Sequence, residues 1–284
     1  MHVSVNGTRI FFDVSGEKLV PDGKRMRERP TLLLLHGGPG GDHSTFRPLF
    51  SQLADVAQVI YLDHRGNGRS DWGEPASWNL PQWGDDIRGF CDVLGIEKPI
   101  VLGYSFGGMV AQSYATRHPD HPGKMVFYST SPKRDREETY AIFERLGGPE
   151  ARVVAEARWT NPNPETSAAY LRVCSPLYNP RGKRDPDAVA RTVRNEQVSF
   201  QFAKSDDGPH PMDFRAALAN IKCPSLVIGG EDDPITPISR SELLAACIPQ
   251  HLVRLVRVPN AGHGVHNDDP ALAMRLLREF ILAT

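Results

Sequence analysis

From Thr31 onward, short apolar runs alternate with stretches whose apolar residues recur every third or fourth position. Thr31-Leu-Leu-Leu-Leu35, Gln58-Val-Ile-Tyr-Leu62, Lys98-Pro-Ile-Val-Leu102 and Lys124-Met-Val-Phe-Tyr128 are short and almost uniformly apolar, so each predicts a buried strand. Between them Phe46 to Val56 fits a helix. Leu80 to Leu94 carries Trp83, Ile87, Phe90 and Leu94 at three- and four-residue spacing and predicts an amphipathic one. Near-continuous aliphatic strands separated by helices predict a parallel sheet covered on both faces, an α/β fold. Ahead of this alternation, His2-Val-Ser-Val and Arg9 to Val14 flank Asn6-Gly7, a strong hairpin signal, and the charged stretch Glu17 to Pro30 is expected to be a loop.

The alternation stops at Ser131 and resumes only after Asp213. It continues with the strand Pro224 to Ile228, a helix near Ser239 to Cys247, the strand Leu252 to Val256 and a closing helix Leu272 to Ala283. The intervening stretch is rich in charge, proline and helix formers. The expected organisation is therefore one α/β core, residues 1–130 and 214–284, with a helical cap, residues 131–213, inserted in it. That cap holds 13 basic and 13 acidic residues, so it offers no net field to a charged substrate.

Composition narrows the class further. The 284 residues carry a net charge of -1, which argues against nucleic acid or an anionic membrane as partner. No apolar stretch approaches the roughly 18 residues of a membrane span, and Met1-His-Val-Ser-Val-Asn6 is unlike a secretory signal, so a cytoplasmic protein is expected. Cys91, Cys174, Cys223 and Cys247 are scattered without a metal or disulfide spacing. A small molecule or short peptide remains as the expected partner.

Gly103-Tyr104-Ser105-Phe106-Gly107 sits directly after one of the buried runs, and Gly108 to Arg117 continues as a helix. Strand, sharp turn and helix together mark a nucleophile elbow, with Ser105 at its tip and glycines where strand and helix crowd each other. A serine hydroxyl needs a base, usually histidine, oriented by a carboxylate. In a sheet of this kind the acid and then the histidine should lie in loops after later strands, and Gly229-Gly-Glu-Asp-Asp233-Pro-Ile-Thr-Pro237 and Pro259-Asn-Ala-Gly-His263-Gly264 answer that need. His263 is the expected base, with His266 as fallback. The negative charge of a tetrahedral intermediate needs backbone N–H donors, for which Phe106 and the glycine loop at Gly38 are the candidates. His36 and His43 lack a third ligand at suitable spacing, so no metal is expected, nor any cofactor.

These motifs resemble those of the α/β-hydrolases, and within them the proline iminopeptidase branch of serine peptidases. The resemblance runs through His36-Gly-Gly-Pro-Gly-Gly41, Asp63-His-Arg-Gly-Asn-Gly-Arg-Ser70, the elbow, the acid loop and Gly262-His263. It implies an α/β-hydrolase fold with a mostly parallel sheet, helices on both sides and an inserted cap. It implies Asp233 as the acid, three residues after Gly230 and four before Pro237, rather than the adjacent Asp232. Some relatives place the acid after the preceding strand, but Ser129-Thr-Ser-Pro132 offers no carboxylate there. Asp63 and Arg65 are expected to stitch their loop together.

The same resemblance implies that acidic residues hold a substrate's free amino group. Glu196 or Asp206 of the cap could serve, whereas Pro234 stands where some members carry a second acid. Trp159, with Tyr170, Tyr178, Phe200 and Phe202, could line an acyl pocket, although such rings more often bury their own helices. The readings left are a serine peptidase of this type and a carboxylesterase or lactonase without aminopeptidase activity. Dehalogenases and epoxide hydrolases use aspartate at the elbow, which Ser105 opposes. A non-catalytic receptor would have no need of an intact set of motifs.

Overall fold

A computed structural model describes residues 1–182, 185–204 and 212–283. Its centre is an eight-stranded sheet in the order β1-β2-β6-β5-β7-β8-β9-β10. The strands are β1 (His2–Val5), β2 (Thr8–Ser15), β5 (Thr31–Leu35), β6 (Gln58–Leu62), β7 (Ile100–Tyr104), β8 (Lys124–Tyr128), β9 (Ser225–Gly230) and β10 (Val253–Val258). From β6 to β10 every pairing is parallel; β1 and β2 add an antiparallel edge through the Asn6-Gly7 turn.

Alternation within β5 shows why its sequence is apolar throughout. Leu33 and Leu35 enter the core beneath α1 (Leu80–Leu94), α2 (Phe106–Arg117) and α7 (Ile238–Cys247), while Leu32 and Leu34 enter the opposite core with α9 (Pro270–Leu282). Each leucine removed from water contributes on the order of 2 kcal/mol, so a strand covered on both faces has no place for polar side chains.

Two expectations need correction. Glu17 to Pro30 is not all loop: β3 (Leu19–Asp22) and β4 (Arg25–Glu28) pair as a small separate hairpin. It is almost wholly exposed, with only Val20 buried, so no hydrophobic alternation announces it; its one signal is the turn dipeptide Asp22-Gly23. The segment Phe46 to Val56 forms two short 3₁₀ turns, His43–Phe46 and Leu49–Asp55, instead of one α-helix. Pro48 lies between them and has no N–H to continue a helical ladder.

Between β8 and β9 the chain runs through α3 (Arg136–Thr160), α4 (Pro164–Val173), α5 (Pro186–Arg191) and α6 (Glu196–Lys204). Tyr140, Phe143, Ala151, Ala155, Tyr170 and Cys174 form a small core of their own within this stretch. Its ends close on each other: Lys133 and Asp213 form an antiparallel bridge, and the Phe214 N–H donates to the Pro132 carbonyl at 2.8 Å. No helix among the described residues is long and apolar enough to cross a membrane.

The strand order positions the site. The chain leaves β5 toward β6 on one side and returns to β7 on the other, so the loops after β5 and β7 diverge at adjacent strand ends. Such a reversal opens a crevice at the carboxyl edge of a parallel sheet.

Candidate active site

Ser105 follows β7 with φ 55° and ψ -118°, and α2 starts at the next residue. That backbone shape costs a non-glycine residue roughly 1–3 kcal/mol, and the surroundings enforce it. A Cβ on Gly107 would lie 2.0 Å from the carbonyl oxygen of Leu35, and one on Gly103 would lie 2.3 Å from that of Gly107. Neighbouring strands hold the turn from below: the Ser105 N–H donates to the Tyr128 carbonyl at 2.9 Å, and the Thr130 hydroxyl donates to the Ser105 carbonyl at 2.8 Å.

His263, in the loop after β10, brings Nε2 to 2.9 Å from Ser105 Oγ. Its Nδ1 lies 2.9 and 3.1 Å from Asp233 Oδ2 and Oδ1. All three side chains are buried. Asp233 Oδ1 also accepts the backbone N–H groups of Ile235 and Thr236, at 2.8 and 2.9 Å, and Oδ2 accepts the Thr236 hydroxyl at 2.8 Å. With the carboxylate so fixed, Nδ1–H donates to it and Nε2 faces the serine as an acceptor. This geometry can take a proton from an alcohol and return it to a leaving group.

The alternatives lie elsewhere. His266 packs on Tyr128, its N–H donating to the phenol oxygen at 2.7 Å. Asp232 makes no hydrogen bond to His263 among the described residues; its own N–H donates to Ala261. Ser129 accepts the Gly264 N–H at 3.2 Å. Asp63 is fully buried and accepts from His43 N–H, His43 Nδ1 and Arg69 N–H, and Arg65 forms a bidentate pair with Asp86. Burial by itself would raise the Asp63 carboxyl, but the His43 hydrogen bond and nearby ring charges hold it below its ordinary value.

Gly38 and Phe106 both border the space beside Ser105, and neither backbone N–H has an acceptor among the described residues. Phe106 opens α2, where the first amide groups have no partner within the helix. A cavity of about 250 Å³ lies over Ser105 and His263, with the glycine loop on one wall and residues of α3 to α6 on the other. A second space of about 90 Å³ continues past Phe106 and Met109. Trp159 borders both, and Glu196, exposed at the start of α6, borders the larger. Tyr170, Tyr178 and Phe200 also line the larger cavity, while Phe202 lines the smaller and packs edge-on against Phe106 at 5.0 Å. Asp206 lies outside the described residues.

The histidine loop is tied to the inserted helices. The Tyr178 carbonyl accepts the His263 N–H at 2.7 Å. Asp268 accepts the N–H groups of Gly262, Arg181 and Gly182 and the Asn179 amide, at 2.7 to 2.8 Å. Burial would raise that carboxyl, yet these donors keep it below its usual value. Sequence reasoning did not single out Thr236, Asp268 or Arg158, a buried cation on the cavity wall. Thr236 had a signal, since a hydroxyl and amides two or three residues after an aspartate are its usual local partners; the other two had none.

Residues 30–270 match the alpha/beta hydrolase fold family, and the chain belongs to that family. It is 27% identical over 291 residues to the proline iminopeptidase PfmaB of Pestalotiopsis fici, covering 98% of each chain. The solved structure of a proline iminopeptidase from Mycobacterium smegmatis superposes with a TM-score of 0.74 at 22% identity, over 99% of this chain and 97% of the other. An esterase from Exiguobacterium antarcticum gives 0.75 at 18% identity, over 99% of both. At these identities the two structures speak for the fold.

Proposed function

We propose that this chain is a serine hydrolase that cleaves a small ester or amide through an acyl-enzyme, in the manner of a proline iminopeptidase. The observation that carries the reading is the buried relay from Asp233 through His263 to Ser105, with 2.9 Å at each step. Ser105 Oγ attacks the carbonyl carbon while His263 Nε2 takes the hydroxyl proton, and Asp233 stabilises the imidazolium. The Gly38 and Phe106 N–H groups receive the developing oxyanion. His263 then protonates the departing amine or alkoxide, and water, activated by the same ring, releases the acid. Residues 131–213 act as the cap over this chemistry, with Trp159 and Glu196 contacting substrate.

A second reading, a carboxylesterase or lactonase without aminopeptidase activity, is favoured by Pro234, which leaves Glu196 without the second acid that would help hold a free amine. A fluorophosphonate probe should label Ser105, and Ser105→Ala should lower kcat by about 10⁴-fold or more while the melting temperature stays nearly unchanged. Absence of labelling would remove the serine mechanism. Hydrolysis of short nitrophenyl esters without prolyl-naphthylamide would select the second reading.

A further inference from the structure

Among the described residues, the larger cavity encloses a cation with no ion-pair partner. Arg158, on α3, is 8% exposed, and its side chain makes one hydrogen bond among the described residues, from Nη2 to Ser199 Oγ at 2.6 Å. Nη1 is enclosed and has no partner. Ser199 packs against the glycine loop: a Cβ on Gly40 would lie 3.4 Å from its own Cβ. The guanidinium stands 5.4 Å from the Trp159 ring and 5.7 Å from that of Phe200, contacts that shield it without accepting a strong hydrogen bond.

Ser167 of α4, on the same cavity, has a second enclosed polar atom without a partner, its Oγ. Among the described residues, the other carboxylates and guanidinium groups bordering this space are Asp42, Asp185, Arg194 and Glu196. Asp42 is engaged by Arg69 at 2.5 Å, and no carboxylate forms an ion pair with Arg158 among the described residues. Burial pulls the Arg158 guanidinium below its ordinary value, and the Tyr170 and Tyr178 phenols and the Glu196 carboxylate, none in an ion pair with it, offset this only in part. An enclosed cation with an unused N–H is costly unless a ligand completes it, and a planar guanidinium matches a carboxylate.

We infer that Arg158, with Ser167 on the same wall, receives a carboxylate of the substrate, so that the esters or amides taken here carry an anionic group away from the scissile bond. The assignment deepens the serine-hydrolase reading and rests on it for the reaction, while recognition can be measured without turnover. Between the two readings above it favours the carboxylesterase or lactonase one, because the ammonium of an aminopeptidase substrate would meet this cation.

Calorimetric titration of the Ser105→Ala protein with adipate monoamide and with hexanamide tests the binding. The monoamide should bind at least about tenfold tighter. Arg158→Met should erase the difference, and Arg158→Lys, which keeps the charge and guards against misfolding, should keep part of it. For turnover, 4-nitrophenyl adipate against 4-nitrophenyl hexanoate puts the carboxylate on the acyl side. The pair 3-carboxyphenyl butyrate against phenyl butyrate puts it on the leaving group. One pair should show a preference in kcat/KM of roughly 10- to 100-fold for the anionic member, collapsing in Arg158→Met. Equal binding of the two amides, or equal losses for both members of each pair in the variant, overturns the inference. Arg158-dependent binding without fluorophosphonate labelling of Ser105 would retain the recognition and discard the reaction.

Discussion

His36 and His64, side by side behind the glycine loop, make folding stability respond to acid at the level of single rings. His36 Nδ1–H donates to the Gly37 carbonyl at 2.6 Å, which leaves Nε2 to accept the His64 N–H at 3.2 Å, and the ring centroids are 4.5 Å apart. Burial holds both imidazoles below their usual value, His64 well below, and the charge of His36 pushes His64 further down. In the unfolded chain each ring takes a proton as pH falls through about 6.5, while the native rings, held lower, take theirs only at more acid pH. The unfolded state then binds more protons, so stability declines below that pH and gains nothing more above it. The loss is at most about 1.4 kcal/mol per pH unit for each ring. Urea midpoints measured from pH 5 to 8 should fall on the acid side, and His64→Phe should fall less steeply. Equal slopes in the two proteins would reject the assignment.

At the scale of elements, the elbow is a close joint between sheet and helix. Gly107→Ala would force α2 away from β5, because its methyl would overlap the Leu35 carbonyl. Backbone atoms cannot turn aside as a flexible side chain does, so a loss of at least about 3 kcal/mol is expected by denaturant titration; a change under about 1 kcal/mol would contradict the packing described. This steric demand also explains what could be read in advance. Helix α1 spans Leu80–Leu94, as its periodicity predicts, and four of the parallel strands lie where the apolar runs stand. Ser105 and His263 sit in loops whose glycines announce them. The β3–β4 hairpin escaped because it buries almost nothing. Arg158 escaped for a different reason: the insertion's charges balance in number, and whether one cation lacks a partner depends on how α3, α4 and α6 meet, which linear spacing does not encode.

Across the whole molecule, three of the four thiols are buried and Cys247 is half-buried, so burial disfavours the thiolate at each. Burial pushes Cys91 and Cys174 up to about 12 and Cys223 up to about 11, and it raises Cys247 as well. Since the thiolate is the reactive form, native protein at pH 8 should take up little iodoacetamide, and all four sites should alkylate after denaturation. Mass spectrometry that finds rapid native alkylation of Cys91, Cys174 or Cys223 would refute this.

The Tyr178 carbonyl and the Asp268 carboxylate have a consequence for engineering. Exchanging the 131–213 segment for that of a relative, to reshape the cavity wall, would also remove the Tyr178 carbonyl from the backbone of residue 263 and Asn179, Arg181 and Gly182 from Asp268. A graft would therefore have to bring its own version of 178–182, trimmed to meet Gly262, where a Cβ would already lie 1.9 Å from the Tyr178 oxygen. Swapped without that seam, the chimera would shift the loop that carries His263 along with the cavity wall.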